Sequence, residues 1–191
     1  MEAAGYSLED MVQMEHFSVK AVYKRLQGEF QKVPWRKLVC NNMGYPKWIF
    51  ILRLAIMERL ATKGRLEKWG IKVDKTCVMC NKAEESVVHL FFQCEETARG
   101  IQRRCLDWKA EVEWAMQHYR GHSRATVIYK MTLAAVIYHI WAERNTRVFQ
   151  QKSRTAQTIS RLIIQEVFLR GSLVKKLVVY LQKLTFYPIV D

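Results

Sequence analysis

The sequence predicts a mainly α-helical protein, and three observations carry that prediction. Only three prolines and eight glycines interrupt 191 residues. Long stretches repeat apolar residues at three- and four-residue spacing, the period of one helix face. Half of the residues are hydrophobic and six are tryptophan, which supplies a core for a chain of this length. No internal repeat, low-complexity tract or flexible linker divides the chain.

The first clear stripe runs through Trp48, Ile51, Leu52, Ala55, Ile56 and Leu60 of "PKWIFILRLAIMERLATKGRLEKWGI". Pro46 suits a first helical turn, where its missing N–H costs nothing. Thr62 is placed to cap a second short helix ending near Gly70. Beyond the cysteine-rich segment, "TARGIQRRCLDW" and "EVEWAMQHYRG" read as short helices. The next run, "SRATVIYKMTLAAVIYHIWAERNTRVF", is apolar on most faces and is expected to be the central buried helix. The last segment, Thr155 to Leu184, sets an apolar stripe against Arg161, Arg170, Lys175, Lys176 and Lys183, and Gly171-Ser172 is expected to kink or divide it, with Ser172 as a new cap. From that stripe Leu162, Ile163, Val167, Leu177 and Val178 are expected to pack on the central helix at Ile137 and Trp141.

Composition narrows the function classes. Lysine and arginine outnumber aspartate and glutamate by 31 to 18, a formal charge of +13, which directs attention to anionic partners. An odd count of five cysteines and an acidic start, "MEAAGYSLEDMVQMEH", without an apolar signal core, lead us to expect a reduced intracellular compartment, nuclear or cytoplasmic. The most apolar stretch, Met131 to Ala142, is shorter than the ~20 residues of a membrane span, so no membrane segment is expected. Asp10, Asp74, Asp107 and Asp191 are isolated, and Glu84-Glu85 and Glu95-Glu96 read as surface carboxylates. With no carboxylate cluster, phosphate loop, G-x-S-x-G or cysteine–histidine dyad, neither catalysis nor a small-molecule substrate is expected.

The chemistry concentrates in "CVMCNKAEESVVHLFFQC", residues 77 to 94. Cys77-x-x-Cys80 puts two sulfurs on one turn, and Asn81 is suited to the left-handed conformation that such a knuckle needs. His89 and Cys94 complete C-x2-C-x8-H-x4-C, a donor set that Zn²⁺ prefers in closed structural sites. Three thiolates and one Zn²⁺ leave a charge of about −1, which Lys75 and Lys82 are expected to offset. In a regular helix residues five apart point about 140° from each other, so the helix must end or tighten near Phe92 or Gln93 for His89 and Cys94 to share an ion. The same residues admit two other readings: ordinary buried residues beside Val87, Leu90 and Phe91, and a redox dithiol, which lacks its βαβ context. His16, His118, His122 and His139 read as surface or core histidines, and Cys40 and Cys105 as packing residues.

"FSVKAVYKRL" (Phe17 to Leu26), "VPWRKLVC" (Val33 to Cys40), the Pro46 helix, "CVMCN" and "HLFFQC" follow one another in an order that resembles the reverse-transcriptase zinc-binding domain of plant LINE-type retrotransposons. The likeness covers about Phe17 to Trp108, and later "YKMTLAAVIYHIWAERNTRVFQQK" and "TISRLIIQEV" resemble the C-terminal extension of the same polyproteins. Domains are accordingly expected at 1–16 (lead-in), 17–108 (zinc-binding) and 109–191 (helical extension packed on it). Met57-Glu58 departs from the His-Asn expected in relatives.

The resemblance implies that Cys77, Cys80, His89 and Cys94 bind zinc. It also implies that the chain is a separated C-terminal piece without polymerase or endonuclease, and that it binds RNA or single-stranded DNA. Arg99, Arg103, Arg104, Arg120, Arg124 and Lys130 are the candidate phosphate contacts, with Trp108 and Trp114 as stacking surfaces. The alternative is a protein-interaction or self-association module that docks through the C-terminal helices, or a relic without function.

Overall fold

In a computed structural model, which describes residues 18–27, 33–98, 107–119 and 121–182, helices dominate, and the only β pairing among the described residues is one isolated antiparallel bridge, Thr76 to Glu84. The chain divides into two units at Val33. Helix α1 (Val19–Gln27) belongs to the first. The second contains α2 (Arg36–Val39), α3 (Pro46–Ile56), α4 (Lys63–Lys68), the cysteine and histidine segment, α5 (Glu95–Ala98), α6 (Trp108–His118), α7 (Arg124–Gln150), α8 (Ala156–Ser172) and α9 (Lys175–Gln182). The expected lead-in, 1–16, lies outside the described residues.

Local signals set most of these ends. Pro46 begins α3 directly after extended Tyr45. Side chains of Asp107, Ser123 and Thr155 accept hydrogen bonds from the N–H groups of Ala110, Thr126 and Thr158, capping α6, α7 and α8. Thr62 occupies the N-cap position of α4 with extended backbone, but its side chain makes no capping bond. Glu85 takes that role instead: its Oε1 accepts from Lys63 N at 2.8 Å and its backbone carbonyl from Gly64 N at 3.1 Å. A β-carbon on Gly64 would sit 2.9 Å from that carbonyl, so glycine is what lets the two segments meet.

Helix α7 is the axis of the second unit. Trp48, Leu52 and Ala55 of α3 share one core with Ala134, Ala135 and Ile137 of α7 and with Ile163 and Val167 of α8. The alanines at 134 and 135 give α3 room to approach. The same core continues through Leu60, Cys77, Met79, Leu90, Phe91 and Cys94 to Trp108, so residues on both sides of Trp108 are packed together. By length and apolarity α7 is the one helix among the described residues able to cross a membrane, a longer span than Met131 to Ala142 suggested. Its apolar surface packs on α3, α8 and α9, and Glu143 and Arg144 are buried at its C-terminal half.

Of the stripe expected against the central helix, Ile163 and Val167 do join Ile137, whereas Leu177 packs with Met131 and Leu181 in a separate cluster and Leu162 and Val178 are only half-buried. The division falls at Leu173-Val174. Ser172 is still inside α8 and its hydroxyl donates to the Leu169 carbonyl, so it caps nothing. Gly171 faces Leu181, whose Cδ1 would lie 2.6 Å from an added β-carbon, and this absence of a side chain lets α9 fold back on α8.

Candidate metal centre

The cysteine and histidine segment is built from two pieces. The first is a short hairpin held by Cys77 N to Ala83 O and Glu85 N to Lys75 O, each 2.8 Å. At its tip Asn81 N donates to Cys77 O at 2.8 Å and Asn81 takes φ 54°, the left-handed turn expected of it. The Met79 N–H points at Cys77 Sγ, 3.4 Å away. The second piece starts at Ser86, which accepts the His89 N–H on its hydroxyl and the Leu90 N–H on its carbonyl, both at 2.9 Å.

From His89 to Gln93 the backbone widens into a π-helical turn, closed by Cys94 N to His89 O at 2.8 Å, and Cys94 itself is extended. The helix thus ends where the spacing required, but it loosens rather than tightens. A wider turn carries residue i+5 back toward the side of residue i, which a tighter one would not.

The ligand atoms of Cys77, Cys80, His89 and Cys94 all lie within 4.8 Å of one another, a group able to hold a metal ion. Cys80 Sγ and His89 Nε2 are 3.4 Å apart. For metal–sulfur and metal–nitrogen bonds of zinc length in a tetrahedron the S···N separation would be about 3.5 Å, so the donors fit. Cys77 and Cys94 are fully buried and His89 nearly so, while Cys80 reaches the surface in part. A hydrogen bond from the Cys77 side chain holds the Cys94 thiol down at about 5, and the same bond, with burial second, pushes Cys77 up. A dication is the kind of charge that lets two adjacent buried sulfurs ionise together.

Two buried carboxylates tie this knuckle to α7. Glu85, expected as a surface carboxylate with Glu84, is instead fully buried. It receives Arg144 Nη2 at 2.7 Å and Nε at 3.1 Å, besides Lys63 N. Glu143, also fully buried, accepts from Arg147 Nε, Arg154 Nε and Arg154 N, each at 2.9 Å, and Arg147 Nη1 reaches Met79 O at 3.4 Å. The one sequence sign was a glutamate and an arginine interrupting an apolar run; the partner 59 residues away had none.

The lysines expected to offset the site's charge are engaged by carboxylates: Lys82 by Glu95 at 2.6 Å, Lys75 by Glu67 at 2.7 Å and by Glu84 at 3.7 Å. Cys40 is exposed rather than packed, and His16 and Cys105 lie outside the described residues. His139 is buried with Nε2 3.1 Å from Glu166 Oε2, while His118 and His122 are on the surface.

Among the candidate phosphate contacts, Arg99, Arg103, Arg104 and Arg120 lie outside the described residues. Arg124 is exposed at the first residue of α7, and Lys130 is half-buried on the same helix. Trp108 is a core residue, packed edge-on by Phe91 and Phe92 with ring centroids 6.0 and 5.0 Å away, and is closed to base stacking. Trp114 is half-buried with the His118 ring stacked on it at 4.5 Å.

Residues 17–100 match the family model zf-RVT, described as zinc-binding in reverse transcriptase. Neither a curated protein nor a solved structure matches the chain.

Proposed function

We propose that the protein is a non-catalytic zinc module derived from the reverse-transcriptase polyprotein of a plant LINE-type element, and that it binds RNA or single-stranded DNA with little sequence preference in the nucleus or cytoplasm. The observation that carries the reading is the convergence of three thiols and one imidazole within 4.8 Å. Three sulfurs and one nitrogen are donors of the type that selects Zn²⁺, and with four protein ligands there is no open position for a reacting water, so the ion's work is structural. The zinc-binding match over residues 17–100 supports the origin. The formal charge of +13 supports an anionic partner, and single-strand phosphates are the anions the resemblance implies.

The test has two arms. Protein purified without added metal should carry one zinc per chain by elemental analysis. It should also bind labelled RNA and single-stranded DNA oligonucleotides with an affinity that falls steeply with salt; binding indifferent to salt, or none, refutes the nucleic-acid part and leaves the zinc module standing. A protein-docking role is favoured by one observation, the exposed side chains of Leu169, Leu173 and Val179 around the α8–α9 turn, and self-association measured by sedimentation would identify it.

A further inference from the structure

Away from the knuckle, a cleft of about 460 Å³ opens between the turn at Asn41–Met43, the first turn of α7, the end of α8 and the first turn of α9. His122, Arg124, Arg170 and Lys176 line it, and no acidic side chain does. The turn at its floor is rigid: Asn42 Nδ2 donates to Leu38 O at 3.0 Å and to Lys130 O at 2.8 Å, and its Oδ1 accepts from Gly44 N at 2.9 Å. Arg170 is fixed by Nε to Met43 O at 2.9 Å and lies over the Tyr45 ring at 5.3 Å, while its Nη groups have no acceptor among the described residues.

The charge placement runs against helix stability. Helix N-termini favour acidic residues in their first turn, and neither α7 nor α9 has one there. Arg124 opens α7, Lys175 and Lys176 open α9, and no carboxylate among the described residues pairs with Arg124 or Lys176. Lys37 and Lys130 add like charge beside the same turn, burial first and Lys37 second lowering the Lys130 ammonium below the usual lysine range. Cations that merely solvate a surface have no reason to converge on a concave site at two helix N-termini; an anion held there would offset both the side-chain repulsion and the helix dipoles.

We propose that this cleft is where the protein grips the phosphodiester backbone of a single-stranded nucleic acid, with Arg124, Arg170 and Lys176 as the phosphate ligands. The inference rests on the nucleic-acid reading above and moves its main contact away from the arginines that follow the knuckle.

The experiment titrates full-length, zinc-loaded protein with fluorescein-labelled oligouridylate and oligothymidylate at about 50 and 200 mM salt. Exposed Arg124 and Lys176 are reversed together (R124E/K176E) and also neutralised together (R124Q/K176Q), with zinc content and helicity as folding controls; R99E/R103E/R104E is the comparison. Losing two phosphate contacts should lower the salt slope by about 1.4, so the affinity lost between those salt concentrations shrinks roughly sevenfold, and the reversal variant should bind at least about tenfold more weakly than wild type, with the neutral variant between. Unchanged affinity and slope in both cleft variants, with binding lost in the comparison variant, overturn the cleft and keep the nucleic-acid reading. Wild-type protein that binds neither strand overturns both.

Discussion

Replacing Arg144 by methionine keeps most of the side-chain volume but leaves the Glu85 carboxylate, fully buried, with Lys63 N as its remaining donor. A buried charge stripped of its partner typically costs about 3–5 kcal/mol, a large part of the roughly 5–15 kcal/mol that holds a domain of this kind together. The companion change Glu85→Gln removes the charge and keeps an oxygen for the Lys63 N–H, so the start of α4 stays capped. If the ion pair is the relevant interaction, the double variant should be less destabilised than the sum of the two single ones by about 2 kcal/mol. Urea unfolding of the four proteins, with equal m-values, measures this cycle. Glu85 also closes the knuckle hairpin through its N–H to Lys75 O, so Arg144→Met should release zinc faster to a chelator. An Arg144→Met loss below about 1 kcal/mol, or strict additivity, would refute the idea that this pair straps the knuckle to α7.

Cys77→Ser and His89→Ala should each drop zinc content below about half an equivalent by elemental analysis, with hydrogen exchange rising first between residues 76 and 98. Glu58 holds φ 52° just after α3, a conformation that glycine adopts without strain, so Glu58→Gly should raise stability in urea by about 0.5–1 kcal/mol. Truncation after Gln151 removes the Ile163 and Val167 contacts and should yield an insoluble or molten product by near-ultraviolet circular dichroism, whereas a soluble, cooperatively folding fragment would mark α8 and α9 as a detachable tail. Burial alone would push the Glu143 carboxyl up, yet the Arg154 N–H and the Arg147 and Arg154 guanidiniums together draw it below its ordinary value. Its contribution is therefore complete above the unfolded value of about 4.3 and lost as pH falls through the lower native one, so the stability gap between wild type and Glu143→Gln should be widest above about pH 5 and close in acid.

Short-range rules account for what was legible beforehand. Ligand spacing predicted a four-donor knuckle, Asn81 the left-handed turn after its second cysteine, Pro46 the start of α3, and the three- and four-residue spacing the long helices. Each of these depends on residues close together in the chain, where backbone sterics and helical period leave few choices. The spacing of His89 and Cys94 also demanded a break, but whether the turn narrowed or widened depended on Leu90 and Phe91 being drawn into the core between them. Tertiary structure decided the rest. Thr62 and Ser172 had the right chemistry to cap, yet Glu85 reached the α4 N-terminus first and the α8–α9 turn formed two residues late, where Gly171 admits Leu181. Glu85 and Glu84 are neighbours of one type, one buried and one exposed, because an arginine 59 residues away meets only the first. Burial of a charge is settled by its partner, and no periodicity or local composition records where in the fold that partner will stand.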